Sequence, residues 1–236
     1  MRARPRCAAV ALTAALGAEH CEIYSDVDGI YSADPRSVEG ARHLPTIDYE
    51  TMQEMAESGA KVLNARAVDW AKRHRVVIHA RKTADFAERG TGPETRVEAS
   101  SAERAAIVVD YKLAWLNAPR AACARLLPVL TAAGIPVRDA WLDGQTNLLL
   151  SLTSVPEFGA TAELLRAAGA SSLRTDVAAV SAIAVGVGRL PDELARALEC
   201  VPRSALGVSL SPLRLCAVLP ASDATELERA WHSFFS

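Results

Sequence analysis

The second half of the chain carries the same order of elements twice, and this repetition restricts the possible folds more than any other feature. Each copy reads strand, helix, strand, strand, helix. In the first copy, a strand over residues 112–116 leads into a helix over residues 120–133, which a glycine ends. Two strands then flank the turn pair Asp143-Gly144, and a second helix covers residues 155–168. This order predicts the ferredoxin-like βαββαβ arrangement.

The second copy repeats the order with different lengths. Its elements are a strand, a helix, two strands and a helix, over residues 180–187, 192–200, 207–211, 213–219 and 225–235. An extra strand over residues 105–109 precedes both copies. The repetition therefore predicts two small α/β domains in this half of the chain.

The first 84 residues alternate between helix and strand instead. The predicted elements are an Ala-rich helix, a short strand, two amphipathic helices and a β-rich run, over residues 8–18, 22–25, 49–58, 65–74 and 76–80. Thr46 or Asp48 can cap the first amphipathic helix. Alternating helix and strand indicates an α/β layer built on a parallel sheet. Residues 85–103 are charged, contain glycines and a proline and show no periodicity, which predicts a linker.

Composition argues against several classes of function. The formal net charge is −2 and no apolar run is long enough to span a bilayer, so neither nucleic acid nor a membrane is expected as a partner. The five cysteines and five histidines show no metal-ligand or catalytic-triad spacing, and the cysteines indicate a reducing compartment. Arginines at positions 2, 4 and 6 before the Ala-rich segment resemble the start of a signal peptide. A helix packed on the sheet and stopped by Gly17 is the favoured alternative.

One stretch combines a strand end with a loop that carries hydroxyl and carboxylate groups. A short strand from Cys21 delivers Ser25 and Asp26 to its C-terminal end, and Gly29 and Pro35 shape the loop that follows. In open α/β sheets, ligands bind at the carboxyl ends of the strands, so a nucleotide is expected here. A polar hairpin between two strands is the alternative.

This stretch, residues 21–36, closely resembles the ATP-binding segment of aspartokinases, in the amino-acid kinase superfamily. Residues 59–63, Gly-Ala-Lys-Val-Leu, resemble the Gly-Ala-Lys-Val-Leu-His-Pro-Arg element of the same family, at a similar spacing. Residues 180–188 and 208–215 are similar to two strands of the ACT domains that follow the kinase domain in this family. The resemblance covers essentially the whole chain but only the last part of a kinase domain.

The resemblance implies a domain organisation. Residues 1–84 would be the C-terminal part of a carbamate-kinase-like αβα domain, and residues 85–103 a linker. Residues 104–174 and 175–236 would be two ferredoxin-like ACT-type domains. Because the family inserts the first ACT unit within the second, the strand over residues 105–109 is a candidate member of the C-terminal unit.

The resemblance also implies an activity. Aspartokinases phosphorylate L-aspartate to 4-phospho-L-aspartate with ATP and Mg²⁺, in lysine, threonine and methionine biosynthesis. Six positions match the family's nucleotide site: Ser25, Asp26, Tyr31, Arg36, Lys61 and Val62. On chemical grounds Lys61 is the best candidate, because its ammonium group neutralises phosphate oxygens. For Tyr31 the alternative is a loop aromatic packed on the sheet, and for Arg36 an exposed arginine after a turn.

The sequence departs from the family pattern in several places. The Gly-Gly-Ser-Asp element that helps bind aspartate reads Arg-Pro-Arg-Cys over residues 4–7, and Asn64-Ala65 replaces His-Pro. The Lys-Phe-Gly-Gly-Thr loop of the family does not occur in these 236 residues. No catalytic residue is assigned, and we expect that this chain alone does not phosphorylate aspartate at an appreciable rate.

ACT domains bind amino acids at the loop after their first strand, and the glycine usual there is missing from the first unit. The candidate effector residues are Asn117, Asp143 and Gln145, with a plain turn residue as the alternative for Asp143. The family implies a cytoplasmic homodimer through the ACT-type domains, or a heteromer with a full-length aspartokinase chain. Lysine or threonine is the expected effector. A regulatory subunit and a degenerate remnant without a ligand are the two other hypotheses.

Overall fold

The computed structural model describes residues 4–83, 92–99, 105–153, 155 and 157–235. Within these residues the chain forms three four-stranded sheets and one two-stranded sheet, with helices packed on the larger sheets. This is the mixed α/β class that the sequence predicts. In the described ranges, no helix combines the length and the apolar character needed to cross a membrane.

The N-terminal part of the chain builds the first sheet. Its elements are α1 (Arg4–Ala15), β1 (His20–Ser25), β2 (Ile30–Tyr31), β3 (His43–Leu44), β4 (Thr46–Asp48), α2 (Tyr49–Glu57), α3 (Ala65–His74), β5 (Val77–Lys82) and β6 (Glu94–Glu98). The strand order is β1-β5-β6-β4, while β2 and β3 pair with each other. Strand β1 is parallel to β5 and β4 is parallel to β6, but β5 and β6 are antiparallel. The sheet is therefore mixed, not purely parallel as predicted.

Strand β6 corrects the prediction of a linker over residues 85–103. Its sequence, Glu-Thr-Arg-Val-Glu, buries Thr95 and Val97 and turns the charged residues to the other face. This is the period-2 alternation of a strand, which the glycines and the proline beside it obscure. Residues 85–91 and 100–103 of the predicted linker lie outside the described residues.

The helices of this part cover one face of the first sheet. Ile23, Ile78 and Val97 of the sheet share a buried cluster with Met52 of α2 and Val68 of α3. Each of these five side chains lies on the side of its strand or helix that is turned to the buried cluster, so each element buries one face.

Helices α2 and α3 both begin at a side-chain cap. At the start of α2, Oδ1 of Asp48 accepts a hydrogen bond from the amide of Thr51 at 2.7 Å. At the start of α3, Oδ1 of Asn64 accepts one from the amide of Arg66 at 3.1 Å. Of the two predicted caps for α2, Asp48 is therefore the one used, and not Thr46. Asn64, which stands where the family element has histidine, therefore has a structural role as the cap of α3.

The second half of the chain builds the other two large sheets. Its elements are β7 (Ala106–Asp110), β8 (Leu113–Pro119), α4 (Cys123–Ala132), β9 (Val137–Leu142), β10 (Gln145–Ser151), α5 (Gly159–Ala167), β11 (Ser172–Arg174), β12 (Val177–Ile183), α6 (Pro191–Glu199), β13 (Gly207–Leu210), β14 (Arg214–Pro220) and α7 (Ala224–Phe235). The two sheets have the orders β11-β8-β10-β9 and β13-β14-β12-β7. Each has the βαββα succession that the repeated sequence pattern predicts, and both orders are ferredoxin-like.

Strand β7 lies in the C-terminal sheet, although the whole first unit separates it in sequence from β12. It runs antiparallel to β12, with Val109 opposite Val180 and Ile107 opposite Ala182. The chain therefore begins the C-terminal unit, leaves it to form the complete first unit, and returns. This places the strand where the insertion known from the family would put it.

The two ferredoxin-like sheets turn their helix-free faces toward each other. Leu113 and Leu149 of the first sheet share one buried cluster with Val177, Cys216 and Val218 of the second. Helices α4 and α5 cover the outer face of the first sheet, and α7 covers that of the second. Two sheets pressed face to face in this way hold both units in a fixed relative orientation.

A buried ionic junction lies where the two ferredoxin-like sheets meet helix α2 of the N-terminal part. Arg138 of β9 pairs with Asp110 of β7, with Nη1 and Oδ2 at 3.0 Å. Arg214 of β14 pairs with Asp139 of β9 at 2.9 Å and with Glu54 of α2 at 3.3 Å. The Arg138 side chain is 7% exposed and that of Arg214 14%. These five residues, called the ionic junction below, connect both ferredoxin-like units to the N-terminal part.

Removing one partner of the ionic junction is expected to destabilise the whole fold. The Arg138→Ala variant leaves the carboxylate of Asp110 buried without its guanidinium, which costs about 3–5 kcal/mol in the free energy of unfolding. The matched control is Arg166→Ala, because Arg166 forms an exposed pair with Glu163, and an exposed pair contributes less than about 1 kcal/mol. Urea unfolding of both variants measures the difference. Equal losses in the two would show that the junction adds nothing specific.

Candidate functional site

The candidate site begins at the carboxyl end of β1, beside the end of β5. Ser25 is paired with Lys82 across the two parallel strands, and Oγ1 of Thr83 donates to the Ser25 carbonyl at 2.8 Å. The Ser25 hydroxyl donates to the Val27 carbonyl at 3.1 Å and accepts from the Val27 amide at 3.3 Å. It therefore closes the turn that follows the strand, and the exposed Asp26 lies at the tip of that turn.

Thr95 of β6 fixes the loop that follows this turn. Its Oγ1 accepts from the amide of Ile30 at 2.8 Å and donates to the carbonyl of Leu44 at 2.6 Å. One hydroxyl thus fixes the start of β2 and the end of β3. Gly29 has φ +153°, and a Cβ there would lie 2.4 Å from Nε2 of His43 and 2.6 Å from the Thr95 hydroxyl. The close approach of the loop to Thr95 therefore requires glycine.

Tyr31 lies inside the loop and is held there by polar contacts. Its hydroxyl donates to Oδ1 of Asp28 at 3.1 Å, and its ring meets that of His43 edge-on at 5.3 Å. Burial raises the pKa of Tyr31, and the hydrogen bond and charge of Asp28 raise it further. The phenol therefore stays protonated at neutral pH. These contacts fit the alternative of a packed loop aromatic, and a contact with a nucleotide stays a prediction.

Charged side chains from two separate motifs meet beside this loop. Arg36 forms a fork with Asp34, with Nε and Oδ1 at 3.0 Å and Nη2 and Oδ2 at 3.1 Å. Burial tends to raise the pKa of Asp34, but the hydrogen bonds from Arg36 and the charges of Arg36 and Lys61 outweigh it and lower that pKa. Asp34 and, more weakly, Asp26 raise the pKa of Arg36. The fold therefore brings the basic groups of residues 36 and 61 to the same carboxylate, that of Asp34.

Lys61 reaches this charged cluster from the segment between α2 and α3. Helix α2 ends at Ser58, and Gly59 follows with φ +110°, where a Cβ would lie 2.6 Å from Cβ of Asp110. The backbone thus turns tightly against β7 before it reaches Lys61, whose side chain is exposed. The half-buried Val62 packs against the cluster under the first sheet. Lys61 and Val62 both carry further contacts within the protein.

The three candidate effector residues lie at one end of the first ferredoxin-like sheet. Nδ2 of Asn117 donates to Oδ1 of Asn147 at 2.9 Å, and Nδ2 of Asn147 donates to Oδ1 of Asp143 at 3.0 Å. The backbone amide of Gln145 donates to the same Asp143 oxygen at 3.3 Å. Asp143 therefore works as a turn residue, while Asn147 connects it to Asn117. Sequence reasoning missed Asn147, which is buried and lies directly opposite Asn117.

The charged cluster has the chemistry of a phosphate site rather than of a metal centre. Arg36 and Lys61 offer two cationic groups, and guanidinium and ammonium groups are the usual protein partners of phosphate oxygens. Within the described residues, no three or more His, Cys, Asp or Glu side chains form a group that could hold a metal ion. A Mg²⁺ that arrives with a nucleotide is held largely by phosphates and water, so the absence of a preformed group does not conflict with it.

Comparison with known proteins gives one consistent picture. The family model described as the amino acid kinase family matches residues 7–80, which include every candidate nucleotide residue. An aspartokinase of Thermus thermophilus is 32% identical over 245 residues, covering 96% of this chain and 60% of that protein. The chain therefore spans about three fifths of the length of this relative.

Two solved structures share the fold over nearly the whole chain. Aspartokinase III of Escherichia coli in complex with aspartate and ADP has a TM-score of 0.80 at 22% identity. The same enzyme in complex with lysine and aspartate also has a TM-score of 0.80, at 23% identity. Each comparison covers 99% of this chain and 56% of the E. coli chain.

The Thr95 hydroxyl is expected to stabilise the loop between β1 and β3, because it bonds the Ile30 amide and the Leu44 carbonyl. The Thr95→Val variant leaves the Ile30 amide and the Leu44 carbonyl buried without their partner, which costs about 1–3 kcal/mol in the free energy of unfolding. The Thr95→Ser variant keeps the hydroxyl and serves as the control. Chemical unfolding gives the free energies, and hydrogen exchange of the Ile30 amide gives the local effect. A valine variant as stable as the serine variant would refute this role.

Proposed function

Because this chain belongs to the aspartokinase family, we propose that its N-terminal part is the nucleotide-contacting part of an aspartate kinase. The enzyme would transfer the γ-phosphoryl group of ATP to the side-chain carboxylate of L-aspartate and give 4-phospho-L-aspartate. One observation carries this proposal: Arg36 and Lys61, from two family motifs, both act on the carboxylate of Asp34, in the loop that follows β1 and β2. Transfer of a phosphoryl group requires cations at that position more than any other protein group.

Each candidate residue has a role in this proposal. Lys61 and Arg36 would neutralise phosphate oxygens, and Arg36 would exchange part of its fork with Asp34 for the nucleotide. Ser25 would act mainly through the turn that its hydroxyl closes, which presents Asp26. Tyr31 and Val62 would lie beside the adenosine. Mg²⁺, when bound, supplies charge neutralisation at the β- and γ-phosphates.

We further propose that these 236 residues bind the nucleotide without transferring phosphate to aspartate by themselves. The sequence holds neither the Lys-Phe-Gly-Gly-Thr loop nor the Gly-Gly-Ser-Asp element of the family. Without them, only part of the charge that develops on the transferring group is compensated. A heteromer with a full-length aspartokinase chain would place this chain in a working enzyme, whereas a homodimer through the ACT-type domains would bind the nucleotide without the transfer.

A second function, binding of an amino-acid effector, is favoured by the hydrogen-bonded group of Asn117, Asn147 and Asp143. Amide and carboxylate groups at the end of a sheet are suited to the ammonium and carboxylate groups of a free amino acid. Lysine is present in one of the similar E. coli structures, and lysine and threonine are the proposed effectors here.

The proposed domain bounds are 104–174 and 175–236. Strand β7 falls within the first range by sequence but is assigned to the C-terminal unit, because it pairs with β12.

Lys61 is expected to be required for nucleotide binding. The Lys61→Met variant keeps the length of the side chain but loses the charge, and we expect ATP to bind at least about tenfold more weakly, as one lost charge-assisted contact implies. Lys72→Met is the matched control, because Lys72 of α3 pairs with Glu50 of α2 and not with Asp34. Isothermal titration calorimetry measures the affinities for ATP and for adenosine. Because adenosine has no phosphates, the loss of a phosphate contact should weaken the binding of ATP and not that of adenosine. Unchanged ATP affinity in Lys61→Met would contradict the proposed site.

Effector binding is expected to raise the melting temperature. A ligand at 100 times its dissociation constant stabilises the folded state by about 2.7 kcal/mol. Asp143→Asn removes the charge that would pair with the effector's ammonium group, so the shift should disappear. Asp192→Asn, a change at an exposed position in the first turn of α6, should keep it. Calorimetric scans with lysine and with threonine measure the shift, and its absence with both amino acids would contradict effector binding.

A further inference from the structure

The C-terminal helix α7 is attached directly to the segment over residues 32–42, which carries Asp34 and Arg36 and is called the nucleotide loop below. Nε2 of His232 lies 2.9 Å from Oγ of Ser32, and Nε of Arg229 donates to the carbonyl of Ser37 at 2.8 Å. Ser32 and Ser37 flank Asp34 and Arg36, so α7 holds the loop on both sides of that ion pair. These contacts join residues about 200 positions apart in the sequence.

Apolar packing reinforces this attachment. Ala33 and Val38 of the loop belong to the same buried cluster as Leu227 and Trp231 of α7. The amide of Ile107, at the start of β7, donates to the Ser32 carbonyl at 2.6 Å. The inner side of the loop is therefore part of the core of the C-terminal unit, while Arg36 on its outer side faces solvent.

The hydrogen bonds at Ser32 favour a neutral imidazole at His232. The Ser32 hydroxyl accepts from the amide of Arg42 at 2.8 Å, and its own proton then needs an acceptor. Nε2 of His232 lies within hydrogen-bond distance, and an unprotonated Nε2 accepts this proton and satisfies both groups. Both side chains are buried, Ser32 at 1% and His232 at 6% exposure. A protonated imidazole would leave the hydroxyl proton without an acceptor in a site shielded from water.

We propose that His232 is a positioning residue for the nucleotide: its neutral form holds the segment over residues 32–42 in the binding arrangement, and its protonation releases that segment. This inference rests on the proposed function, because it assumes that Asp34 and Arg36 serve the nucleotide. It adds that the C-terminal helix sets the affinity for ATP through one titratable hydrogen bond, that between His232 and Ser32.

The charged groups around His232 favour its neutral form. Burial lowers the pKa of His232 below its usual 6.5, and the positive charge of Arg42 lowers it further. Glu228, one turn earlier in α7, faces Ser37 and Asp34, and burial raises its pKa. Arg229 on the same helix binds the Ser37 carbonyl. Of these groups, His232 is the one whose usual pKa lies closest to neutrality.

The sign of the pH effect follows from the lowered pKa. Between the folded-state pKa of His232 and about 6.5, the unfolded or released segment binds more protons than the attached one. The attachment is therefore fully stable above about pH 6.5 and weakens as the pH falls below that value. Glu228 has a raised pKa and would act in the opposite direction, since its protonation on acidification favours the buried state.

The test compares the pH dependence of ATP binding in two proteins. In the His232→Gln variant, Oε1 of glutamine accepts the Ser32 hydroxyl and does not titrate. We expect the wild-type affinity for ATP to fall at least about fivefold more than that of the variant between pH 7.5 and pH 5.5, the effect of losing one buried hydrogen bond. The ATP phosphate and Glu228 titrate alike in both proteins, so the difference belongs to His232. Identical pH profiles, with both proteins folded, would overturn the proposal.

Two further measurements separate this inference from the proposed function. Ser32→Ala should weaken ATP binding at pH 7.5 while His232→Gln does not, because only the alanine variant loses the hydrogen bond there. Hydrogen exchange of residues 32–42 without nucleotide should show faster opening at acid pH, after correction for intrinsic rates, in the wild type alone. If no ATP binds at any pH but this release occurs, the attachment stands and the proposed nucleotide site fails. If ATP binds and no release occurs, the role of His232 fails.

Discussion

The pairing of two buried guanidinium groups is the constraint on which the relative arrangement of the three sheets depends. Taking Arg138 and Arg214 out of water costs several kcal/mol per ion, and only well-placed carboxylates repay it. Those carboxylates come from three different places: Asp110 before the first ferredoxin-like unit, Asp139 within it, and Glu54 in the N-terminal part. A docking that separates these pairs while the guanidinium groups stay buried would leave at least one charge without a partner. The junction therefore specifies one arrangement more than it adds stability.

The same junction lies directly behind the segment that carries Lys61. Glu54 is in the last turns of α2, five residues before Gly59, and Gly59 itself packs on Asp110. Burial raises the pKa of Glu54, and Arg214 counteracts this by stabilising its carboxylate. A shift of β9 relative to β14 would therefore change the charge balance at the helix that ends at the Lys61 segment. In physical terms, ion pairs connect the sheets proposed to sense an amino acid to the helix that precedes the Lys61 segment of the site proposed to hold ATP.

Local signals predicted the elements well, and long-range contacts explain what they missed. Glycine and turn signals such as Asp143-Gly144 located helix ends and hairpins, because one residue decides the backbone there. The pattern did not find β6, whose two buried residues are too few to give a clear period beside Gly90 and Gly92. It also gave Thr95 no role, since a hydroxyl that bonds backbone groups more than fifty residues away leaves no local trace.

The candidate nucleotide residues came from a resemblance, while the contacts that hold them came from the fold alone. Nothing near His232 in the sequence connects it with Ser32, because the hydrogen bond exists only after β7 and α7 have packed on the loop.

The ionic junction and the attachment of α7 to the loop both join the N-terminal part to the rest of the chain, but they differ in their chemistry. The ionic junction consists of guanidinium and carboxylate groups, most of which keep their charge throughout the neutral range. The attachment of α7 to the loop depends on an imidazole, the side chain whose usual pKa lies nearest to neutral pH. A change of pH between about 5.5 and 7.5 should therefore act on the loop around Arg36 and leave the Lys61 segment in place. The positions of the two cations of the proposed phosphate site would then depend on different interactions. The position of Lys61 would depend on the packing of the sheets, and that of Arg36 on the protonation of His232.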